Sequence, residues 1–507
     1  MTLFAQPREV PAQIARVLAG WLPQQRWWPG DCAWQSATAV DLADNVTVWL
    51  LRTAGGITVQ VPLVLREDRL AGQPASPAPP AHGVSGSPDG GRGSATTSSD
   101  ATVVSLSAFA ARTRAPAPPG LIGTAQIGTT RVQVIDATHD PAFHRALLRN
   151  LRVIEPWAGA PTGPLLISPD EAPSPAPDRG VSADVPEGSI GAVLGVEQSN
   201  TSIIMPRIHG GIIVKVMRNV VDGAQPDLDV PNALAAAGFA HVPRTYAVLE
   251  SGVDDGRFIA RWTATLAIVS QLVPEAEDGF TRACAMAASG IDFARDCRSL
   301  GADLADMHGA LRRAFPVGIE TAHEVLNRVA ERIDHSASGC GFVAELLGPI
   351  DTFLDALRRD VVDEPVTVQR LHGDLHLGQT LHSPFGWWVL DFEGEPLRPL
   401  SFRLAPDLPL RDLAGMLRSI DYAAALADAP DPGWRGRARE ALLQGYADNV
   451  GPLDPRQPHP RGASADALLT AFELEKACYE VGYEMTQRPQ WAWVPQDAVN
   501  RILGPFL

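Results

Sequence analysis

A chain of 507 residues, 45% of them hydrophobic, is longer than one ordinary domain and apolar enough to bury sizeable cores, so two or three units are expected. A formal net charge of −16 with no concentrated basic face excludes nucleic acid and anionic membrane as general partners. Five cysteines (Cys32, Cys284, Cys297, Cys340 and Cys478) form no C-x-x-C pair, Met1 to Val10 lack the regions of a signal peptide, and no apolar run is long enough to span a membrane. Together these predict reduced thiols in a cytoplasmic protein.

The N-terminal tryptophans Trp21, Trp27, Trp28 and Trp34 read as apolar anchors of a compact unit rather than as a sugar-stacking surface. Segments rich in Pro, Gly and Ser at about 71–100 and 159–191 mark insertions. They suggest an N-terminal cap over 1–115, an intermediate N-lobe over 116–274 and a mostly helical C-lobe over 275–507. In the N-lobe, Glu197 to Met205 and Gly211 to Met217 read as a hairpin with a polar entry, where Ser199, Thr201, Ser202 and the backbone amides can cover phosphates, with Asn200 in the same run.

Lys215 lies on the second strand. Of 42 basic residues only Lys215 and Lys476 are lysines, so the chain uses Arg wherever a generic cation suffices. A lysine is a compact point charge on a flexible stem, suited to insertion between phosphate oxygens. Beyond it, Asp227 and Asp229 are both candidates to hold Lys215, with Asp229 taken as its partner. Leu300, Leu304, Met307 and Leu311 then form a helical core stripe.

The densest chemistry follows in Leu371-His372-Gly373-Asp374-Leu375-His376-Leu377-Gly378-Gln379 and Trp388-Val389-Leu390-Asp391. Val366 to Val368 and Trp388 to Leu390 read as short strands, with a turn at Ser383 to Gly386. Asp374 then sits in a loop, where it can accept the proton of an attacking hydroxyl, and Asp391 at a strand end. Gln379 and Asp391 offer the hard oxygen ligands that Mg2+ takes alongside phosphate and water. His372 and His376 do not make a zinc site, because Gly373 spoils a helix and no third ligand is suitably spaced. Further on, Glu473, Lys476, Glu480 and Glu484 recur at three- and four-residue spacing, so a helix presents them on one face near Tyr479 and Tyr483. That face can meet water as a solvated surface or meet a hydroxyl-rich sugar in a cleft; Lys476 favours the cleft, and His376, Lys476, Tyr479 and Glu480 are the candidate sugar contacts.

The order Glu197 to Ser202, Lys215, Pro274 to Gly279, His372 to Gln379, Asp391-Phe392-Glu393-Gly394-Glu395-Pro396, Leu410 to Ser419 and Glu475 to Glu480 resembles bacterial maltokinases. The resemblance implies an α+β, bilobal protein-kinase-like fold, similar to aminoglycoside phosphotransferases, with an added N-terminal cap. It also implies ATP and Mg2+ as cofactors, Asp374 as catalytic base, Gln379 and Asp391 as metal ligands, and Lys215 with Ser199 to Ser202 on the phosphates. A hinge over Val269 to Val273 would bring Gln271 and Val273 to adenine. Transfer of the γ-phosphate to the anomeric hydroxyl of maltose, giving maltose 1-phosphate for α-glucan synthesis, is the activity so implied. The enzyme would be a monomer or weak oligomer, linked in function to trehalose/maltose-interconverting and maltosyltransferase enzymes. The alternatives are a kinase for another acceptor, such as glucosamine or an aminoglycoside, and a sugar or nucleotide sensor without chemistry.

Overall fold

The computed structural model describes residues 3–30, 33–68, 118–154, 190–194, 200–253, 262–395, 400–450 and 462–507. Both low-complexity insertions fall almost wholly outside these residues, as do Ser199 and Cys32.

The N-terminal half is built on β-branched runs. Val46–Thr53 and Thr58–Glu67 pair in register from Val46 opposite Val64 to Arg52 opposite Thr58, and bury nearly every side chain. They belong to a sheet whose strands follow the order Leu121–Ile127, Thr130–Asp136, Thr58–Glu67, Val46–Thr53, Trp34–Ala43, Leu3–Pro7, Thr245–Val253, Trp262–Gln271, Ile212–Val216, Thr201–Met205 and Ala192–Val193. Leu3–Pro7 is the joint. Leu3 to Ala5 run parallel to Ser251 to Val253, while Gln6 and Pro7 pair antiparallel with Ala39 and Thr38. Cap and N-lobe therefore share one continuous hydrogen-bonded surface.

The strands on either side of the boundary expected near residue 115 belong to one sheet. Leu121–Ile127 and Thr130–Asp136 pair into the cap sheet, the latter directly with Thr58–Glu67. The low-complexity stretch lies in sequence between Thr58–Glu67 and Leu121–Ile127, two strands of this sheet that flank Thr130–Asp136. Within the cap, Trp27 and Trp28 are buried in an apolar cluster with Leu18, Trp49 and Leu51, and Trp21 and Trp34 pack against it, as expected of anchors.

Beyond the hinge the chain is helical. Leu300, Leu304, Met307 and Leu311 are fully buried on Ala294–Ala314, the predicted stripe. This helix crosses Trp434–Asn449 where both carry glycine: a Cβ on Gly301 would lie 2.2 Å from the Leu442 carbonyl, and one on Gly445 2.0 Å from that of Arg298. Leu410–Leu426 and Ala463–Gln487 pack side by side and carry the floor of the cleft. Above them, the hairpin Thr380–Ser383 and Gly386–Val389 delivers Asp391, as the sequence pattern predicted.

Candidate active site

Lys215 lies midway along Ile212–Val216, paired with Ser202 on one side and Ile268 on the other. The alternation of the strand turns it away from the sheet core and toward the C-lobe. Its Nζ meets Asp227 Oδ2 at 2.5 Å, Asp391 Oδ1 at 2.9 Å and Glu393 Oε1 at 2.5 Å. Burial works against the ammonium, but the three carboxylates outweigh it and hold the lysine well above its ordinary pKa. Asp391 is held below the carboxylate range: burial opposes ionisation, and the attraction of Lys215 wins.

The partner on the helix Pro226–Ala236 is Asp227, not Asp229. Asp227 is buried beside the lysine, whereas Asp229 accepts from the Gln225 backbone N at 2.9 Å and satisfies the helix start. Two residues along a helix turn a side chain through about 200°, so only one of the pair can face the strand.

Asp391 adopts a left-handed backbone conformation, φ 61°, which Asp tolerates better than most residues. The kink after the strand aims one carboxylate oxygen at Lys215, while the other accepts from Gln379 Nε2 at 3.4 Å. Asp227, Asp391 and Glu393 present oxygens that all lie within 4.8 Å of one another. This all-oxygen set, with the Gln379 amide beside it, suits a hard divalent cation such as magnesium.

Asp374 sits at the other end of the cleft. Its Oδ1 accepts from Lys476 Nζ at 2.8 Å, and the same ammonium reaches Glu395 Oε1 at 2.9 Å and lies 5.0 Å from the Tyr479 ring centre. Glu395 is bonded in turn by Arg411 Nη2 at 3.1 Å, and Arg411 lies 3.8 Å from Glu475. Burial disfavours the Lys476 charge, but Asp374 and Glu395 more than compensate and raise its pKa well above the ordinary value. A small, partly open pocket lies here, lined in part by Asp374, Glu395, Arg411, Glu475 and Lys476.

The loop carrying Asp374 is fixed from beneath by Asp412. This carboxylate accepts from His372 N at 2.8 Å, Gly373 N at 3.0 Å and His308 Nε2 at 3.1 Å, and His308 Nδ1 meets the Tyr446 hydroxyl at 2.9 Å. Burial alone would raise the Asp412 pKa, but the His308 hydrogen bond and charge, with His372 and the Gly373 amide, bring it down to about 2. Gly415 lets the loop lie on the helix, since a Cβ there would stand 2.4 Å from the Leu375 carbonyl.

Several expected ligands take structural roles. His376 Nδ1 accepts from Gly378 N at 3.1 Å and caps the turn Leu377–Gln379, and burial lowers its pKa. Glu480 is held by Arg418, with Nε at 3.0 Å and Nη2 at 2.9 Å. The helix face expected to be either solvated or open to the cleft is largely interior: Glu473 pairs with Arg439 and Glu484 with Arg488, and only Lys476 reaches the catalytic loop. Thr201 Oγ1 accepts from Arg218 Nε at 2.8 Å, Asn200 bonds Glu393 and Arg218 N, and Ser202 is buried opposite Lys215. At the hinge, Gln271 N donates to Arg244 O at 2.8 Å, Leu272 N donates to Gly211 O at 3.1 Å, and Val273 is buried.

Glu393, Glu395, Arg411, Asp412 and Glu475 were not singled out from sequence. Each stands inside a run that was quoted, but an acid within a motif carries no mark of which neighbour it faces.

No family model matches the chain. In sequence it is similar to the glucosamine kinase of Mycolicibacterium smegmatis (strain ATCC 700084 / mc(2)155), 26% identical over 329 residues that cover 61% of this chain and 78% of that protein. It is also similar to the glucosamine kinase of Streptacidiphilus jiangxiensis, 26% identical over 338 residues, 61% of this chain and 72% of that protein. Among solved structures it resembles a glucosamine kinase in complex with glucosamine, ADP and inorganic phosphate, with a TM-score of 0.53, 20% identity and 94% of each chain covered. Crystal form A of a glucosamine kinase gives the same TM-score at 19% identity, over 98% of this chain and 99% of that one. These likenesses show the fold: the chain has the α+β, bilobal kinase-like architecture expected from its sequence.

Proposed function

We propose that the chain is a magnesium- and ATP-dependent sugar kinase whose acceptor is an amino sugar of the glucosamine type. The observation that carries this reading is the pairing of Asp374 with Lys476 at one end of a cleft whose other end holds Lys215, Asp391 and Gln379. One Asp374 oxygen is held by Lys476, which leaves the other to orient the acceptor hydroxyl and take its proton. Lys215 neutralises the phosphates, and Asp227 keeps it pointed into the cleft. Asp391 and Gln379 would hold magnesium, which when bound shields the charge on the phosphates. Most of the acceleration then comes from fixed geometry and from charge already in place.

The acceptor end favours an amine over a neutral disaccharide. Its cavity is lined by the carboxylates of Asp374, Glu395, Glu475 and Asp412 against the cations of Arg411 and Lys476. An excess of negative groups around a partly closed cavity attracts an ammonium and gives a neutral sugar no comparable gain. The two sequence relatives described above are glucosamine kinases, which supports glucosamine over the maltose suggested by the motif resemblance.

The test is magnesium-dependent ADP release with glucosamine, N-acetylglucosamine, glucose, maltose, trehalose and an aminoglycoside, with Asp374→Asn alongside. Turnover selective for glucosamine over N-acetylglucosamine and lost in the variant is the expected result. Selectivity for maltose would restore the disaccharide reading, and a nucleotide-dependent melting shift without ADP release on any acceptor would make the chain a sensor.

A further inference from the structure

Arg218 follows the lysine strand by two residues and is almost completely buried, 1% exposed. Its contacts run in two directions. Toward the nucleotide hairpin, its Nε donates to Thr201 Oγ1 at 2.8 Å and its backbone N to Asn200 Oδ1 at 2.9 Å. Toward the cap, its Nη2 donates to Asp136 Oδ2 at 2.8 Å, and its guanidinium carbon lies 4.5 Å from the ring centre of Trp27. Asp136 is itself fixed, because its other oxygen accepts from the Thr138 N at 3.1 Å and hydroxyl at 2.9 Å. The Arg218 carbonyl accepts from Gln60 N of a cap strand at 2.7 Å, so side chain and backbone are both gripped by the cap.

We infer that Arg218, held by Trp27 and Asp136 of the cap, is a positioning residue for the phosphate-covering turn of the kinase site. The inference rests on the kinase reading and deepens it. Of the run Ser199 to Ser202, Asn200, Thr201 and Ser202 are described, and the cap-anchored arginine bonds the first two. Asn200 also bonds Glu393 at 2.6 Å, so the tether continues to the carboxylate cluster around Lys215. A planar guanidinium has the geometry for this: its edges donate in fixed directions while its face lies on an aromatic ring, which a lysine cannot reproduce. The cap then acts on nucleotide affinity without touching nucleotide. Ordering the turn before binding removes that entropy loss from the binding step.

The experiment compares wild type, Trp27→Leu and Trp27→Phe by direct titration with Mg-ATP, by KM for ATP and for the acceptor, and by thermal melting. Leucine keeps an apolar anchor in the cap but removes the ring under Arg218, whereas phenylalanine restores a ring. The expected result is Mg-ATP binding weakened about tenfold in Trp27→Leu, with the acceptor KM changed less than twofold and much of the loss recovered in Trp27→Phe. A lowered melting temperature in Trp27→Leu with unchanged Mg-ATP affinity would leave Trp27 a mere core residue and overturn the inference, as would equal weakening in both variants. Failure of the wild type itself to bind Mg-ATP would instead overturn the kinase reading. Asp136→Asn, which keeps an acceptor for Arg218 but removes the charge, should weaken Mg-ATP in the same direction; no change there would also count against the tether.

Discussion

Replacing Asp412 with asparagine removes one charge from beneath the catalytic loop and changes almost nothing in shape. Asp412 is 2% exposed and accepts three hydrogen bonds, two of them from the backbone amides of His372 and Gly373 just before Asp374. Its pKa stands at about 2 against an ordinary 3.8, which corresponds to about 2 kcal/mol of stability at neutral pH. An asparagine has one accepting oxygen and places an NH2 where a second backbone donor points, so one buried N–H loses its partner at a further cost of about 1–3 kcal/mol. Asp412→Asn should therefore lose about 3 kcal/mol in urea unfolding at pH 7. Because the folded-state pKa lies below the unfolded one, the charge contribution is complete above about pH 4 and is lost as the pH falls toward 2, so the gap between variant and parent should narrow over that interval. The displaced loop should lower kcat for ADP release by about a hundredfold, the usual effect of moving a reacting group by about an ångström. Stability within 0.5 kcal/mol of the parent, or a destabilised variant that turns over at the parental rate, would refute the claim that Asp412 holds the loop.

Three further substitutions test the site's framework. Asp227→Ala should release Lys215 from its helix and cut turnover at least tenfold, whereas Asp229→Ala should cost about 1 kcal/mol in thermal or urea unfolding and leave turnover unchanged, since it only satisfies a helix start; the reverse pattern in an ADP-release assay would return the lysine to Asp229. Gly415→Ala should force the loop off its helix, because the new Cβ falls 2.4 Å from the Leu375 carbonyl, at a cost of about 1–3 kcal/mol and a large loss of kcat. An alanine variant with normal melting and turnover would mean that the loop does not need that close approach.

The candidate catalytic loop was legible as a loop because its residues are local. Asp374, Gln379 and Asp391 lie within one loop and hairpin, so their order in the sequence is nearly their order in space. The lysine strand could be read from its short hydrophobic run, and the hairpin that carries it formed as expected. What stayed hidden depends on long-range pairing. Asp227 and Asp229 differ only in helix phase, which a helix start containing Pro226 and Pro231 does not reveal. Glu480 fitted a cleft-facing pattern, but the side chain that takes it, Arg418, comes from a helix 62 residues away. A low-complexity insertion interrupts a sheet as readily as it ends one, so composition did not reveal that Thr130–Asp136 pairs with Thr58–Glu67 across the expected boundary.

The uneven use of cations shows why the two lysines mark the two ends of the cleft. Buried arginines hold the framework: Arg332 reaches Asp407 at 2.6 Å and Glu475 at 3.4 Å, Arg411 bonds Glu395, Arg418 bonds Glu480, and Arg439 bonds Glu473. A planar fork fits partners whose positions never change. Lys215 meets three carboxylates and Lys476 two, so at each a single positive charge faces an excess of negative charge. A point charge on a flexible stem can trade one oxygen for another at little loss, so on the proposed kinase reading an arriving phosphate takes the place of Glu393 at Lys215. At Lys476 the same freedom lets the ammonium stay on Glu395 while Asp374 turns to the acceptor. Arginine at either position would lock the resting pairs in place and work against the exchange that binding requires.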